Sequence, residues 1–230
     1  MLDKREFYIN GQWTAPNQTN DFNVIDPSTE QICGVISLGD QVDTDAAVVA
    51  ANVAFENWSR SFKEERIALL ERILDCYNKR SNDIAQAISL EMGAPIDMAK
   101  KQQVGAGAWH INGFIHTLKS FEFDQMLGAH APNDRILYEP VGICGLITPW
   151  NWPMNQITLK VIPALAAGCT MVLKPSEIAP LSAMLFAQIM HDAGTPAGVF
   201  NMLNGSGVGV GAQLSGHPDI DMISFTGSTR

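Results

Sequence analysis

The stretch ICGLITPWNWP, residues 143–153, decides the fold because an apolar run passes directly into a polar turn. Two later stretches repeat this pattern: KPSE at residues 174–177 follows an apolar run, and FTGS at residues 225–228 ends another. Open α/β sheets bind ligands at the carboxyl ends of their strands. The three turns are therefore predicted to meet at one ligand.

Strand-like runs and helix-like periods alternate through the second half of the chain. Strands are predicted at residues 142–147, 169–173, 199–203 and 220–225, with helices at residues 155–167, 180–193 and 207–215. This alternation implies right-handed crossover connections and a parallel sheet. The predicted fold class is α/β: a Rossmann-like open parallel sheet with flanking helices, preceded by a helical N-terminal segment and a short β arm.

The first predicted part of the chain, residues 1–120, combines strands with helices. A strand pair is expected at residues 7–9 and 22–25, where short apolar runs are bounded by turn residues. From Asp43 onward apolar side chains recur at three- and four-residue steps, which predicts the helical part of a cofactor-binding domain. The stretch at residues 96–118 is a less marked helix because it contains three glycines.

The second and third predicted parts differ in pattern. Residues 121–140 alternate apolar and polar side chains around Gly128 and residues 132–134, which predicts a β arm suited to oligomerisation. Residues 141–230 hold the Rossmann-like βαβ units. The three motifs quoted above all lie in this last part.

Charge and composition exclude several classes of protein. With 230 residues, 46% of them hydrophobic, the chain can bury a sizeable core. Its net charge of -9 disfavours nucleic acid and anionic membranes as partners. The most apolar stretch, residues 157–173, is interrupted by Lys160, Pro163 and Gly168 and is too short for a bilayer span. No apolar segment follows the charged amino terminus, so no secretory signal is visible and a cytoplasmic protein is expected.

Neither the cysteines nor the histidines indicate a metal centre. The four cysteines, at positions 33, 76, 144 and 169, have no pairwise metal spacing. In a reducing compartment we expect them to be free thiols of the core. Each of the five histidines stands apart from other potential ligands and is interpreted as a structural or surface residue.

Asn151 is the candidate catalytic residue. Pro149 and Pro153 fix two φ angles around it, so its amide is expected at a defined position beyond the first parallel strand. A held amide donor can stabilise the oxyanion that forms when a nucleophile adds to a carbonyl, with an effect of about 3 kcal/mol in comparable sites. The alternative is that Asn151 only completes a turn or caps the following helix.

Lys174 and Glu177 are candidate cofactor contacts at the end of the second strand, and Ser176 between them is expected to cap a helix. A carboxylate that accepts hydrogen bonds from ribose hydroxyls would repel a 2′-phosphate, so Glu177 favours NAD over NADP. The alternative is an exposed lysine and a glutamate that only complements the helix macrodipole.

Two glycine-bearing segments could approach a phosphate. Residues 205–212 formally satisfy the dinucleotide fingerprint, but no acidic residue follows about twenty positions later, so the segment is interpreted as a turn that leads into a helix. Gly207 is retained as a candidate cofactor contact. Thr226, Gly227 and Ser228 end a strand in a turn of small residues, where backbone N–H groups and a hydroxyl can reach a pyrophosphate.

Together, PWNWP at residues 149–153, KPSE and FTGST at residues 225–229 closely resemble the amino-terminal part of the aldehyde dehydrogenase superfamily, and the similarity extends over nearly the whole chain. The resemblance implies that Asn151 is the oxyanion-hole amide, that Lys174 and Glu177 hold the adenosine ribose, and that Gly227 and Ser228 lie by the pyrophosphate. The complete predicted cofactor-binding set is Ile147, Thr148, Pro149, Trp150, Lys174, Ser176, Glu177, Gly207, Thr226, Gly227 and Ser228.

The resemblance also implies a reaction: NAD-dependent oxidation of an aldehyde to a carboxylic acid through a cysteine thiohemiacetal and a thioester, in a homo-oligomer. The family's general base, in a Glu-Leu-Gly-Gly motif, and its nucleophilic cysteine normally follow the position of Arg230. The chain is therefore expected to be truncated before the catalytic domain and to be inactive alone. Two alternatives stay open: a non-catalytic nucleotide-binding or assembly fragment, and a relative that passes the acyl group to coenzyme A.

Overall fold

A computed structural model describes residues 1–228; Thr229, at the end of the FTGST motif, and Arg230 lie outside the described residues. The strands are β1 (Leu2–Lys4), β2 (Phe7–Ile9), β3 (Gln12–Thr14), β4 (Asp21–Asp26), β5 (Gln31–Ser37), β6 (Asp124–Gly128), β7 (Ala131–Leu137), β8 (Ile143–Ile147), β9 (Thr170–Lys174), β10 (Phe200–Met202) and β11 (Met222–Phe225). The helices are α1 (Gln41–Trp58), α2 (Lys63–Lys79), α3 (Ser81–Met92), α4 (Ile96–Met98), α5 (Val104–Ser120), α6 (Pro153–Ala167), α7 (Leu181–Asp192) and α8 (Ala212–Gly216). Two π-helical turns, Ala99–Gln103 and Gly207–Gly211, lead into α5 and α8.

The central sheet has the strand order β11-β8-β9-β10-β2-β3. The four strands β8 to β11 are parallel, as the helices between them require. The register pairs Ile147 with both Lys174 and Phe225, so β8, β9 and β11 end level with one another. The predicted α/β class with a parallel strand core is confirmed.

A hairpin makes this sheet mixed rather than wholly parallel. β2 pairs antiparallel with β10, and β3 pairs antiparallel with β2. The hairpin turns at Asn10 and Gly11, which have φ angles of 51° and 78°. Positive φ at both central residues suits a two-residue loop between twisted strands. The turn signal at these residues is therefore a hairpin signal, and β3 is a strand that the sequence pattern alone does not predict.

Helices cover both faces of the central sheet. On one face Ile143, Val172 and Leu203 pack with α1 and α8 in one apolar cluster. The alternating side chains, such as Leu146 and Met171, belong to a larger cluster that includes α2, α5, α6 and α7. Because strand side chains point alternately to opposite faces, a strand buried on both faces consists of a continuous apolar run.

The region before α1 contains more strands than the predicted pair. β4 forms as expected, but β5 also forms and lies between β1 and β4 in a second sheet of order β1-β5-β4. The predicted number of strands in this region is therefore wrong, since five strands precede α1. Pairing on both sides of β5 supplies backbone hydrogen bonds that its interrupted apolar run does not indicate.

The helical prediction for residues 96–118 is confirmed by α4, the π-helical turn and α5. Gly107 allows α5 to pack closely against α2, because a Cβ atom there would lie 2.8 Å from Tyr77 Cζ and closer still to the hydroxyl oxygen. Among residues 1–228, nothing lies within 4 Å of a Cβ placed on Gly105 or Gly113. Only one of the three glycines is therefore required by packing.

The segment at residues 121–140 contains an antiparallel two-stranded arm, β6 paired with β7. Most of its side chains are exposed. Residues 132–134, which resemble turn residues in sequence, lie within β7, while the chain reverses at residues 129–130. The role of this arm in oligomerisation stays a prediction.

Candidate functional site

All twelve residues predicted for the site line one cleft at the carboxyl ends of β8, β9 and β11. The cleft has a volume of about 820 Å³, which is in the range of pockets that hold cofactors. Four residues that sequence reasoning missed also line it: Gln156, Ser206, Val208 and Phe225. Convergence follows from the register, because the three strands end side by side and each continues into a turn.

Backbone hydrogen bonds tie the three turns together. The N–H of Thr148 donates to the carbonyl of Lys174 over 3.2 Å, and the N–H of Thr226 donates to the carbonyl of Ile147 over 3.1 Å. These bonds continue the β8–β9 and β8–β11 ladders by one step. The turn that carries Asn151 is therefore held between the other two.

The amide of Asn151 is exposed at the cleft and is not used as a helix cap. α6 begins at Pro153 with Trp152 as its N-cap residue, and within the described residues no capping hydrogen bond from the Trp152 side chain is found. Within residues 1–228 the Asn151 amide makes no hydrogen bond, so its donor faces the cleft unpaired. The capping alternative is thus wrong, while the catalytic interpretation stays a prediction.

Lys174 and Glu177 form an ion pair in the cleft. Lys174 is only 3% exposed, and its Nζ donates to Glu177 Oε2 over 2.9 Å. The alternative of an exposed lysine is wrong. The Glu177 side chain keeps 24% exposure and lines the cleft, so one carboxylate oxygen stays free to accept hydrogen bonds from a ligand.

Ser176 does not cap a helix, contrary to the prediction. Its Oγ accepts a hydrogen bond from the N–H of Ile178 over 3.3 Å, within the turn that follows β9. α7 begins five residues later, at Leu181, with Pro180 at its N-cap. Ser176 nevertheless lies in the cleft and shapes the turn between Lys174 and α7.

The two glycines that line the cleft, Gly207 and Gly227, are there for different structural reasons. A Cβ on Gly207 would point into open space, so packing within the described chain does not require this glycine. A Cβ on Gly227 would lie 2.8 Å from Phe225 Cε2, so this glycine is explained by the neighbouring ring. The segment around Gly207 is a π-helical turn rather than a regular helix, and Ser206 Oγ accepts from the N–H of Gly209 over 3.0 Å.

Of the four missed residues, Ser206 and Val208 carried a detectable signal. Ser206 is a good N-cap type directly before a helix-like segment, and Val208 stands between two glycines of the fingerprint-like segment. Gln156 and Phe225 belong to ordinary helix and strand patterns. Only the tertiary structure assigns those two to the cleft.

None of the four cysteines lines the cleft. Cys144 and Cys169 are buried, Cys33 and Cys76 are partly buried, and no disulfide joins them in the described chain. The neighbouring Cys169 thiol and burial raise the pKa of Cys144, and burial raises the pKa of Cys33. Residues 1–228 contain no cluster of three His, Cys, Asp or Glu side chains able to hold a metal ion. None of the helices in this described part combines the length and hydrophobicity that a bilayer crossing requires.

The family model described as the aldehyde dehydrogenase family matches residues 13–230. The chain belongs to the aldehyde dehydrogenase family. The resemblance that the three turn motifs indicated is therefore confirmed.

Relatives within the aldehyde dehydrogenase family extend well beyond this chain. The 3-succinoylsemialdehyde-pyridine dehydrogenase of a Pseudomonas species is 52% identical over 231 residues, which cover 100% of this chain and 48% of that protein. The solved structure of an aldehyde dehydrogenase from Bartonella henselae has a TM-score of 0.98 at 58% identity, over 100% of this chain and 48% of the other. Aldehyde Dehydrogenase C of Pseudomonas syringae, a mutant solved with NAD+ and octanal, has a TM-score of 0.92 at 49% identity, over 95% and 44%. The chain spans about half the length of the relatives it matches.

Proposed function

We propose that this chain supplies the cofactor-binding part of an NAD-dependent aldehyde dehydrogenase, which oxidises an aldehyde to a carboxylic acid through a cysteine thiohemiacetal and a thioester. One observation carries the proposal: three strand-end turns meet in one cleft, which is lined both by the Lys174–Glu177 pair and by the amide of Asn151, unpaired within residues 1–228. Membership of the family and the NAD+ complex of the Pseudomonas syringae relative support it.

The residues of the cleft fit NAD. The free oxygen of Glu177 can accept hydrogen bonds from ribose hydroxyls, and Lys174 holds this carboxylate in place from a buried position. The same negative charge would repel the 2′-phosphate of NADP. Gly207 leaves space for a ligand where any larger residue would project a side chain. When bound, NAD supplies the hydride acceptor of the reaction.

Asn151 acts on the aldehyde rather than on the cofactor. Its amide is placed by Pro149 and Pro153 and makes no competing hydrogen bond within the described residues. A donor fixed in this way needs no reorganisation when negative charge develops on a carbonyl oxygen, which is why such donors lower a barrier more than water does. Trp150, the neighbouring residue, is half exposed and lines the same cleft.

Replacement of Asn151 tests this role. In the full-length protein that carries this sequence, Asn151→Ala should lower kcat for aldehyde oxidation by about a hundredfold or more, because one oxyanion donor is lost. NADH formation measures the rate, and Asn78→Ala, an exposed asparagine of α2 away from the cleft, is the control that should leave kcat unchanged. Equal kcat for the two variants would contradict the assignment.

Two alternatives lead to different outcomes. A non-catalytic nucleotide-binding or assembly fragment is favoured by the absence of any cysteine among the residues that line the cleft, and it predicts NAD binding without turnover even when a separately expressed carboxyl-terminal part is added. A relative that passes the acyl group to coenzyme A predicts a rate that depends on coenzyme A. Hydrolytic oxidation predicts full turnover without it.

We further propose that the full-length protein is a homo-oligomer that pairs through β6 and β7. A two-stranded hairpin is marginally stable alone, yet this arm exposes large apolar side chains such as Met126 and Leu137. Burial between subunits would remove this surface from water. Light scattering of the full-length protein after size-exclusion chromatography measures the state, and a monomeric mass would contradict the proposal.

A further inference from the structure

A fully buried carboxylate on α3 holds the amino end of α7. Glu91 is 1% exposed and accepts hydrogen bonds from the N–H groups of Leu181 and Ser182, the second over 3.1 Å. These are two of the N–H groups that a helix leaves without intrahelical partners. The N-cap residue of α7, Pro180, provides no side-chain cap, so Glu91 replaces a local cap from ninety residues away in sequence.

The amino end of α7 matters because the turn that carries Glu177 runs from β9 to this end of the helix. At its start the turn is fixed by β9, whose last carbonyl, that of Lys174, accepts from Thr148. Beyond it the hydrogen bonds are local: Ile178 and Ala179 both donate to Ser176. Within the described residues, the next hydrogen bonds to another element are those that Leu181 and Ser182 donate to Glu91.

The environment of Glu91 offers the carboxylate no opposite charge. Burial raises the pKa of Glu91 to about 7, while the hydrogen bonds from Ser182 and Leu181 act in the other direction. No basic side chain of residues 1–228 forms a salt bridge with it. The amino end of α7, with its partial positive charge, is therefore the group that balances the carboxylate.

We infer that Glu91 is a positioning residue for the cofactor: it fixes α7 and, through α7, the turn that presents Lys174 and Glu177 to the adenosine ribose. This inference rests on the proposed function of the cleft. Glu91 does not line the cleft, so it acts only through the turn. Its loss should leave the aldehyde side, and hence kcat at saturating NAD, unchanged.

The test compares variants of Glu91 in the full-length protein. Glu91→Leu fills the site with an apolar side chain of similar size but removes both acceptor oxygens. The turn should then hold its NAD-binding arrangement in only a fraction of the molecules. A competent fraction of one tenth raises the apparent Kd for NAD about tenfold. Glu91→Gln retains one acceptor oxygen and should raise Kd less, by about threefold. Calorimetric titration with NAD gives Kd, and steady-state rates give KM for NAD and kcat.

A matched control separates positioning from loss of stability. Ile88→Val, also buried on α3, should destabilise the fold without removing an acceptor from the N–H groups of α7, and should leave Kd unchanged. A Glu91→Leu protein that folds and binds NAD as the wild type does would overturn the inference, as would a reduced kcat with unchanged KM. If Glu91→Leu does not fold, an unchanged Kd for Glu91→Gln overturns the inference equally. The wild type is measured first: if it fails to bind NAD, the proposed function itself is contradicted.

Discussion

The titration of Glu91 should make the stability of the fold depend on pH in an identifiable way. The pKa is about 7 in the folded chain against an ordinary value of 4.5, so the folded state holds this proton more tightly than the unfolded state does. The resulting stabilisation is fully present below about pH 4.5 and is lost as pH rises through about 7. The full difference corresponds to about 3 kcal/mol, and most of it should disappear between about pH 5 and pH 8.

Urea unfolding of the wild type and of Glu91→Gln at the two pH values isolates this effect. The glutamine does not titrate, so the wild type should lose about 2–3 kcal/mol more than the variant over this range. Other carboxyl groups, including the buried Asp43 whose pKa is also raised by burial, contribute equally to both proteins and cancel. Burial raises the pKa of the Cys33 thiol, and the negative charge of Glu91 raises it further.

The result that would refute the reasoning is a pair of parallel stability curves. Parallel curves would mean that the N–H groups of Leu181 and Ser182 compensate fully for burial and hold the pKa of Glu91 near its ordinary value. A wild type that gains stability relative to the variant as pH rises would reverse the sign of the argument, because the charged form would then be the better capping group.

Two other predictions concern packing and cofactor choice. Gly107→Ala should lower the free energy of unfolding by about 1–3 kcal/mol, because the new methyl group overpacks against Tyr77. Gly113→Ala on α5, where a Cβ meets no atom of the described residues within 4 Å, should raise it by up to about 1 kcal/mol. Equal changes in the Tm of the two variants on thermal unfolding would contradict this. Glu177→Gln in the full-length protein should reduce the preference for NAD over NADP about tenfold, because the charge that repels the 2′-phosphate is gone; calorimetry with each dinucleotide gives the ratio of Kd values, and an unchanged ratio would count against the ribose contact.

The strand core is predictable because its signals are local. β8 and β9 are five-residue strands, each buried throughout: β8 is apolar along its length, and β9 has an apolar centre, residues 171–173, between Thr170 and Lys174. Helical segments between them leave parallel pairing as the natural arrangement. Once the strands are parallel, their carboxyl ends share one edge, which is why the amino-acid sequence alone predicts that the turns after Ile147, Lys174 and Phe225 lie together.

The parts that escaped prediction depend on partners remote in sequence. β5 forms because it pairs with β1 on one side and β4 on the other, a register that no local pattern encodes. Gln156 lies in the cleft because it is in the first turn of α6, which begins two residues after Asn151. Lys174 is buried rather than exposed because a carboxylate three residues later accepts from its ammonium group.

The error at Ser176 shows how a local rule gives way to a tertiary contact. Serine after a strand and before a helix is a good N-cap signal, yet Pro180 follows, and α7 starts only after it. The intervening residues form a turn in which Ser176 Oγ accepts a hydrogen bond from the N–H of Ile178 instead. The helix still needs acceptors for its first N–H groups, and Glu91 provides them from α3. The turn is thereby free to place Glu177 in the cleft, which a helix that began at Ser176 would not allow, so the displaced cap and the candidate cofactor contact have one cause.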